Sequence, residues 1–218
     1  MFDDISGDYD LMNRIISFGL DGICRRRAVQ PHRDDKIILD ICSGTGDMAK
    51  EILRLKGFDG HIILADFSMK MRELARQKLG ENQRVTYVIC DAENLPFEDS
   101  VFDGITNGYS LRNLSDLKAF GSEIERTLKS GGQATIVDVA HPPNKVIARL
   151  FYIYFYKLIP LISRLFTKKK YAYRYLPASL RTFLKQDEVL AALSSTGLNG
   201  DYQHLLWGAV AVYRLRKK

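Results

Sequence analysis

Asp40-Ile41-Cys42-Ser43-Gly44-Thr45-Gly46-Asp47 is the stretch that decides the fold of this 218-residue chain. It begins at the end of an apolar run, residues 37–41, and leads into a helical pattern over residues 47–55. Glycines between a strand and a helix let the backbone approach a ligand closely, and the start of the helix offers unpaired N–H groups. We therefore predict a ligand-binding loop in an α/β domain.

Short apolar runs alternate with helical stretches after this loop. Four of the runs predict strands and two stretches predict helices: strands at 62–65, 85–89, 102–106 and 133–139, and helices at 68–79 and 117–128. Residues 129–132 mark a helix end, because glycine adopts positive φ cheaply. Residues 202–207 and 209–214 predict two more strands, joined tightly at Gly208 and therefore antiparallel. The pattern predicts a doubly wound, Rossmann-like, mostly parallel seven-stranded sheet with an antiparallel last strand.

Composition and cysteine content exclude several classes of protein. The chain is 46% hydrophobic and 27% charged, as soluble globular proteins are, and its length suits a single domain over residues 1–218. Its three cysteines lack metal-type spacing, so we predict no metal site and no disulfide framework, and we expect a reducing compartment. The N-terminus is acidic where a signal peptide would be basic, so we expect a cytoplasmic protein.

The net charge of +6 is concentrated in one segment. Residues 145–185 hold ten Lys or Arg and no Asp or Glu, together with ten aromatic residues. We predict that residues 144–185 form a basic, aromatic helical cap and residues 1–30 an N-terminal helical lid. Residues 147–166 are apolar but contain charges and Pro160. We therefore expect two helical pieces broken at Pro160 rather than a transmembrane span.

Acidic residues end three of the predicted strands. Asp66 lies twenty residues beyond Gly46, where a carboxylate can accept hydrogen bonds from both ribose hydroxyls of an adenosine. Asp91-Ala92 ends the third strand and is placed to meet the adenine edge, while Asp40 can hold an ammonium group. The carboxyl ends of parallel strands form one crevice, where open α/β sheets bind ligands. We predict S-adenosylmethionine as the cofactor of this crevice, with Gly44, Thr45 and Gly46 forming its loop.

Two other interpretations of this loop remain open. Residues 44–49 also satisfy the dinucleotide pattern G-x-G-x-x-A, although Asp47 would repel a pyrophosphate at that helix start. The glycines could also serve only to pack a strand on a helix.

Motifs along nearly the whole chain match one family. They are Phe2-x-x-Ile5-x-x-x-Tyr9-Asp10-x-Met12-Asn13, residues 91–97, Leu111-Arg112-Asn113, residues 173–179 and Trp207-Gly208-x-Val210-Ala211. On these residues the chain resembles the demethylmenaquinone and ubiquinone C-methyltransferases. The resemblance implies the class I methyltransferase fold, and it implies that Thr45, Asp66, Asp91 and Ala92 bind S-adenosylmethionine. Gly108 occupies a further cofactor position, where relatives often carry serine.

The resemblance also implies a prenylated quinol, demethylmenaquinol above all, as the methyl acceptor. Methylation of its ring carbon is helped by alignment with the donor and by stabilising the deprotonated hydroxyl. Our hypothesis is that Arg112 and Asn113 orient this hydroxyl and stabilise the developing oxyanion. Tyr9 would fold over the cofactor as part of the lid. His141 is the alternative base, because its ordinary pKa range suits proton transfer.

Aromatic residues flanked by lysines suit a membrane headgroup interface. We therefore expect residues 147–170 to contact the inner face of a membrane peripherally, which would let a prenyl tail enter without crossing water. The same apolar face could instead cover the sheet edge or form a homodimer interface. Nucleic acid is a less favoured partner of this segment than a membrane or a protein surface, because the aromatic residues are interleaved with long aliphatic ones.

Three other functions remain open from the sequence. They are methylation of another small hydrophobic acceptor, methylation of RNA, and binding of S-adenosylmethionine by a scaffold without catalysis.

Overall fold

A sheet of seven strands runs through the computed structural model, which describes residues 14–161 and 178–217. The strands are β1 Ile37–Ile41, β2 His61–Asp66, β3 Val85–Ile89, β4 Phe102–Gly108, β5 Leu128–Val139, β6 Leu198–Leu205 and β7 Val210–Lys217. Their order is β3-β2-β1-β4-β5-β7-β6. The first five strands pair in parallel, and β7 is antiparallel to both β5 and β6. The predicted mostly parallel sheet with a reversed last strand is confirmed.

Helices alternate with the strands along the chain. They are α1 Leu20–Ala28, α2 Asp47–Leu53, α3 Met69–Leu79, α4 Leu117–Thr127, α5 Lys145–Ile153 and α6 Gln186–Ser194. Polar side chains begin three of them. Ser68, Asp116 and Asn144 accept hydrogen bonds from backbone N–H groups in the first turns of α3, α4 and α5. Such caps satisfy donors that have no partner inside the helix, so these residues set where each helix starts.

Side chains of β1 alternate between two cores, one on each face of the sheet. Leu39 and Ile41 belong to the core that also holds buried residues of α4 and α6. Ile38 belongs to the other core, with buried residues of α1, α2 and α3. A strand covered on both faces needs apolar side chains at successive positions, which explains the apolar residues 37–39 and Ile41 on either side of the buried Asp40.

The glycine-rich residues 129–132 differ from the sequence prediction. They lie within β5 rather than in a turn, because Leu128 already pairs with Phe102. The register then shifts before Gln133 pairs with Gly104, and Gly131 has φ of 77°. The predicted positive φ at a glycine is therefore present, but it serves an irregularity in a strand. The start predicted for this strand was too late.

Residues 145–161 of the cap form one continuous helical path. After α5 a π-helical turn, Tyr154–Leu158, leads into residues 159–161, which are again helical. The predicted break at Pro160 is therefore wrong for these residues. Proline lacks an N–H and its ring crowds the carbonyl four residues earlier. The helix widens just before Pro160, where the Ile159 N–H bonds to the Tyr154 carbonyl, five residues back.

A small apolar cluster attaches this cap to the rest of the molecule. Phe155, Ile159 and Leu180 are buried together, and Ile16 packs against them from the N-terminal segment. The Tyr154 hydroxyl also donates a hydrogen bond to the Ile16 carbonyl. Across the described residues, none of the helices combines the length and the apolar character that crossing a membrane requires.

Candidate active site

A cavity of about 290 Å³ opens at the carboxyl ends of β1, β2, β3 and β4. This volume lies near the lower end of the range for small-molecule sites, roughly 300–1,000 Å³. The structure brings six of the predicted residues into its wall: Gly44, Asp66, Asp91, Ala92, Gly108 and Asn113. The parallel register places these strand ends side by side, which is why residues distant in sequence meet here.

The glycine loop approaches the cavity through left-handed backbone. Gly44 has φ of 54°, and a Cβ added there would meet no atom within 4 Å. Gly46 has φ of 82°, but a Cβ there would lie 3.0 Å from Leu79 and 3.2 Å from Leu64. Gly44 therefore leaves open space at the cavity, whereas Gly46 lets the start of α2 pack closely against α3 and β2. Both positions favour glycine because side chains rarely adopt positive φ.

The Asp66 carboxylate is held by backbone on two sides. Its Oδ2 accepts the Gly44 N–H at 2.8 Å, and its Oδ1 accepts the Ser68 N–H at 2.8 Å. A carboxylate has about four acceptor positions, which is more than these two N–H groups occupy. Since Asp66 lines the cavity, it is suited to accept hydrogen bonds from a vicinal diol. This arrangement fits the ribose of an adenosine.

Asp40 lies behind the loop and is completely buried. Its Oδ1 accepts a hydrogen bond from the Thr106 hydroxyl at 2.8 Å, while Oδ2 has no hydrogen-bond partner among the described residues. Burial raises the pKa of Asp40 to about 7, although the Thr106 hydroxyl and the Arg25 charge both oppose this. A buried carboxylate oxygen without a donor is costly, and an ammonium group from a ligand would supply one.

Thr45 and Asp47 are joined to α3 by one lysine. Lys78 Nζ lies 2.6 Å from Thr45 Oγ1 and 2.8 Å from Asp47 Oδ1. Burial raises the pKa of Asp47, but the charges of Arg25 and Lys78 outweigh it and hold that pKa below its ordinary value. Asp47 therefore carries a negative charge at the start of α2, and Lys78 balances part of it.

The sheet distinguishes this fold from a dinucleotide-binding one. A dinucleotide-binding sheet has the parallel order 3-2-1-4-5-6. Here β7 is inserted antiparallel between β5 and β6.

Arg112 stands behind the cavity wall in a buried ion pair. Its Nε lies 3.2 Å from Asp138 Oδ1, and its Nη1 lies 3.4 Å from Ser179 Oγ. Burial raises the pKa of Asp138, while the Arg112 charge lowers it. Asp138 Oδ2 also accepts the Leu111 N–H at 2.8 Å. Arg112 thus ties the 110–113 turn to the end of β5 and to the cap, whereas its neighbour Asn113 reaches the cavity.

His141 uses both ring nitrogens to hold the cap. Nδ1 lies 2.8 Å from the Tyr152 hydroxyl and Nε2 lies 3.2 Å from the Phe183 carbonyl. A carbonyl can only accept, so Nε2 carries the proton and Nδ1 accepts from Tyr152. His141 therefore has no ring nitrogen free to take a proton from an acceptor in this arrangement. Tyr9, the predicted lid residue, lies outside the described residues.

Two residues at the site were missed from the sequence. Tyr109 has φ of 63°, which is uncommon for a side chain of its size, and it lines the cavity. Arg25 of α1 stacks on Tyr109, with Cζ 4.7 Å from the ring centroid. Its helical spacing from Ala28 was the available signal, because Ala28 lies in the core and Arg25 shares its face.

Comparison with known proteins assigns the chain to a family. The model of the ubiE/COQ5 methyltransferase family matches residues 1–217. The ubiquinone/menaquinone biosynthesis C-methyltransferase UbiE of Geotalea daltonii is 36% identical over 219 residues, which cover 98% of this chain and 93% of that protein. The demethylmenaquinone methyltransferase of Thermus thermophilus is 33% identical over 216 residues, 98% of either chain.

A solved structure shares the fold. Phosphoethanolamine N-methyltransferase 2 of Haemonchus contortus, determined with S-adenosylhomocysteine, superposes with a TM-score of 0.63 at 16% identity. The match covers 90% of this chain and 52% of that protein. Two structural features, the sheet order and the cavity at the strand ends, are consistent with a methyltransferase fold. The family model matches residues 1–217. The chain therefore belongs to the ubiE/COQ5 methyltransferase family.

Proposed function

We propose that this protein transfers a methyl group from S-adenosylmethionine to a ring carbon of a prenylated quinol, converting demethylmenaquinol to menaquinol. The observation that carries the proposal is the cavity in which Asp66, Asp91 and the Gly44 loop meet. Membership of the ubiE/COQ5 family supports it, as do relatives named for menaquinone and ubiquinone methylation.

Residues at three strand ends would bind the cofactor, which when bound supplies an electrophilic methyl group on a sulfonium. The Asp66 carboxylate would accept hydrogen bonds from the ribose hydroxyls. Asp91 and Ala92 would meet the adenine, and Asp40 Oδ2 would take the ammonium of the amino-acid portion. Thr45 and Gly46 would support this loop from behind, because neither residue lies in the cavity wall and Lys78 donates a hydrogen bond to the Thr45 hydroxyl.

The acceptor ring would lie against the wall formed by the 108–115 segment. Asn113 and Ser110 line this wall, and an amide or hydroxyl there can orient a ring hydroxyl. Arg112 would act as a positioning residue, because its ion pair with Asp138 fixes the turn that carries Asn113. Its positive charge lies close behind the turn and would favour a developing oxyanion in a site of low dielectric. Tyr9 would close the site from the lid.

Labelled S-adenosylmethionine offered with a panel of demethylated quinols, reduced in place, tests the proposed reaction. We expect label in the naphthoquinol ring and little in benzoquinols. Asp66→Ala serves as the matched control, since it should abolish labelling together with cofactor binding. Label in RNA, or in a non-quinol acceptor only, would contradict the proposal. Cofactor binding with no label in any acceptor would instead favour a scaffold.

We also propose that the cap rests on the membrane surface from which a prenylated acceptor would come. Exposed apolar side chains recur along one side of the described cap at helical spacing: Val146, Leu150, Ile153 and Leu161. Trp207 is 78% exposed and has φ of 56°, and its neighbour Gly208 packs against Pro143 just before α5. Lys145 and Arg149 add positive charge, which anionic lipid attracts.

Co-sedimentation with vesicles tests this contact. We expect binding to phosphatidylglycerol vesicles and weaker binding to phosphatidylcholine alone, with Leu150→Glu and Trp207→Glu each reducing it. Ile23→Glu is the matched control, because Ile23 is an exposed apolar residue on α1. Wild-type protein that ignores vesicles but dimerises, with Leu150→Glu dissociating the dimer, would show a homodimer interface instead. Retention on RNA alone would overturn the proposal.

A further inference from the structure

Arg25 lies beside the end of β4, where that strand reaches the cavity. A Cβ built on Gly108 would lie 2.7 Å from Arg25 Nη1, and Gly108 is part of the cavity wall. The guanidinium therefore occupies the space that a side chain at position 108 would otherwise take. We infer that Arg25 binds the carboxylate of the amino-acid portion of S-adenosylmethionine. The inference rests on the proposed function and extends it from the adenosine end of the cofactor to the other end.

The guanidinium is already held in place by its neighbours. It stacks on the Tyr109 ring at 4.7 Å, and its Nε lies 3.6 Å from Asp21 Oδ2. The residue is only 7% exposed, so its side chain is ordered by the fold. Ordering a long side chain on binding would cost affinity, and a pre-positioned arginine avoids most of that cost. Its planar fork also matches a carboxylate in geometry.

The surroundings of Arg25 carry an excess of positive charge. Arg25 borders a second, polar cavity of about 270 Å³. Six basic residues line this cavity against three acidic ones: Arg14, Arg25, Arg26, Lys50, Arg54 and Lys78 against Asp21, Asp47 and Glu51. Such a balance favours an anion at Arg25 over a second cation.

Arg25 and Asp40 together suit the two charges of an α-amino acid. Asp40 Oδ2 is a buried acceptor without a hydrogen-bond donor among the described residues, and it suits the ammonium. Arg25 is close enough to Asp40 to influence its titration, and it suits the carboxylate. Asp66 and Asp91 lie on the other strand ends, so the sheet separates a ribose and adenine side from an amino-acid side. The helix α1 would then recognise what distinguishes the cofactor from a plain adenosine.

Calorimetry with three ligands tests the inference: S-adenosylhomocysteine, its decarboxylated analogue, which keeps the ammonium, and 5′-methylthioadenosine, which lacks both charges. For wild-type protein, loss of the carboxylate should weaken binding about 10- to 100-fold, as expected for a charge-assisted contact. Arg25→Met should weaken the binding of S-adenosylhomocysteine by a similar factor. Its affinity for methylthioadenosine should stay within about twofold of the wild-type affinity. Arg25→Met should no longer distinguish the first two ligands. Arg27→Met is the matched control and should behave as wild type, because Arg27 is an exposed arginine of α1 that lines neither cavity.

The outcomes separate the inference from the proposed function. Wild-type protein that binds none of the three ligands would overturn both. Wild-type protein that binds S-adenosylhomocysteine, with Arg25→Met keeping the preference for the carboxylate, would overturn only the role of Arg25. Should Arg25→Met not fold, Arg25→Lys takes its place. Arg25→Lys should keep part of the preference for the carboxylate, and the same preference as wild type would also overturn that role.

Discussion

Arg112 and Asp138 form an ion pair that is almost entirely removed from solvent. Their Nε and Oδ1 atoms are 3.2 Å apart, and the two side chains are 6% and 0% exposed. Asp138 lies one residue before the end of β5, while Arg112 lies in the turn that follows β4, so the pair links two neighbouring strand ends at the edge of the cavity. Arg112, which the sequence suggests as a catalytic candidate, therefore also holds two parts of the structure together.

Arg112→Met should destabilise the protein, because it leaves the Asp138 carboxylate buried without its cation. Breaking such a pair lowers the free energy of unfolding by about 3–5 kcal/mol. Urea denaturation measures this, and circular dichroism confirms that the variant is folded in buffer. Arg112→Lys should recover part of both stability and turnover, with S-adenosylhomocysteine affinity unchanged. A variant as stable as wild type would show that the pair contributes little to the fold.

The pH dependence of stability should reveal the buried Asp40. Burial raises its pKa in the folded state to about 7, from 3.8 in the unfolded chain. A raised pKa contributes stability that is fully present below about pH 4 and is lost as the pH rises through about 7. The loss across that window is about 4 kcal/mol. Asp40→Asn removes this group, so its free energy of unfolding should fall less than that of wild type between pH 4.5 and 8.

Urea denaturation of both proteins at several pH values measures this difference. Saturating S-adenosylhomocysteine should reduce the wild-type slope, because an ammonium beside Asp40 favours the ionised carboxylate. Parallel curves for wild type and Asp40→Asn would show that Asp40 titrates in the folded state much as it does in the unfolded chain.

Alanine at Gly44 and at Gly46 should have separable effects. Both residues have positive φ, so each substitution strains the backbone by about 1–2 kcal/mol. Only the Gly46 Cβ would meet core side chains, at 3.0 Å from Leu79. Gly46→Ala should therefore lower the melting temperature more. Gly44→Ala should mainly weaken the binding of S-adenosylhomocysteine, because the new Cβ would enter open space at the cavity.

Differential scanning fluorimetry and calorimetry, run on both variants, provide the two measurements. The reverse result, with Gly44→Ala the less stable protein, would be incompatible with the packing described.

His141→Ala should lower the turnover number far less than loss of a general base would. Removing a general base costs about 10²–10⁴ in rate, whereas losing contacts that hold the cap should cost less than tenfold in kcat and raise KM for the quinol. Steady-state kinetics across pH 6–9 measures both. Tyr152→Phe is the matched control, because it removes the other partner of the Nδ1 hydrogen bond. A hundredfold loss of kcat together with a lost pH limb would identify His141 as the base.

Local sequence patterns predicted the fold class and most of the cofactor wall. Residues 37–41 and 85–89 have the bounds that the structure shows, because both are mostly apolar segments of strand length that polar or turn-forming residues bound. Asp66 and Asp91 were found because each directly ends such a run. The errors lie where a distant partner decides the local structure. Leu128 extends β5 because it pairs with Phe102, and no residue near Leu128 in the sequence indicates this pairing.

The amino-acid sequence alone determined the type and order of most strands and helices, and it determined that a glycine loop lies between β1 and α2. The periodicity of apolar side chains and the steric limits of the backbone act between near neighbours in the chain. The secondary structure that they favour can therefore be predicted from a short stretch of sequence. Only the tertiary structure decided that Arg112 pairs with Asp138, that His141 holds the cap and that Arg25 lies against Gly108. Those contacts join residues far apart in sequence. They depend on strand order and register, which follow from burying both faces of the sheet at once.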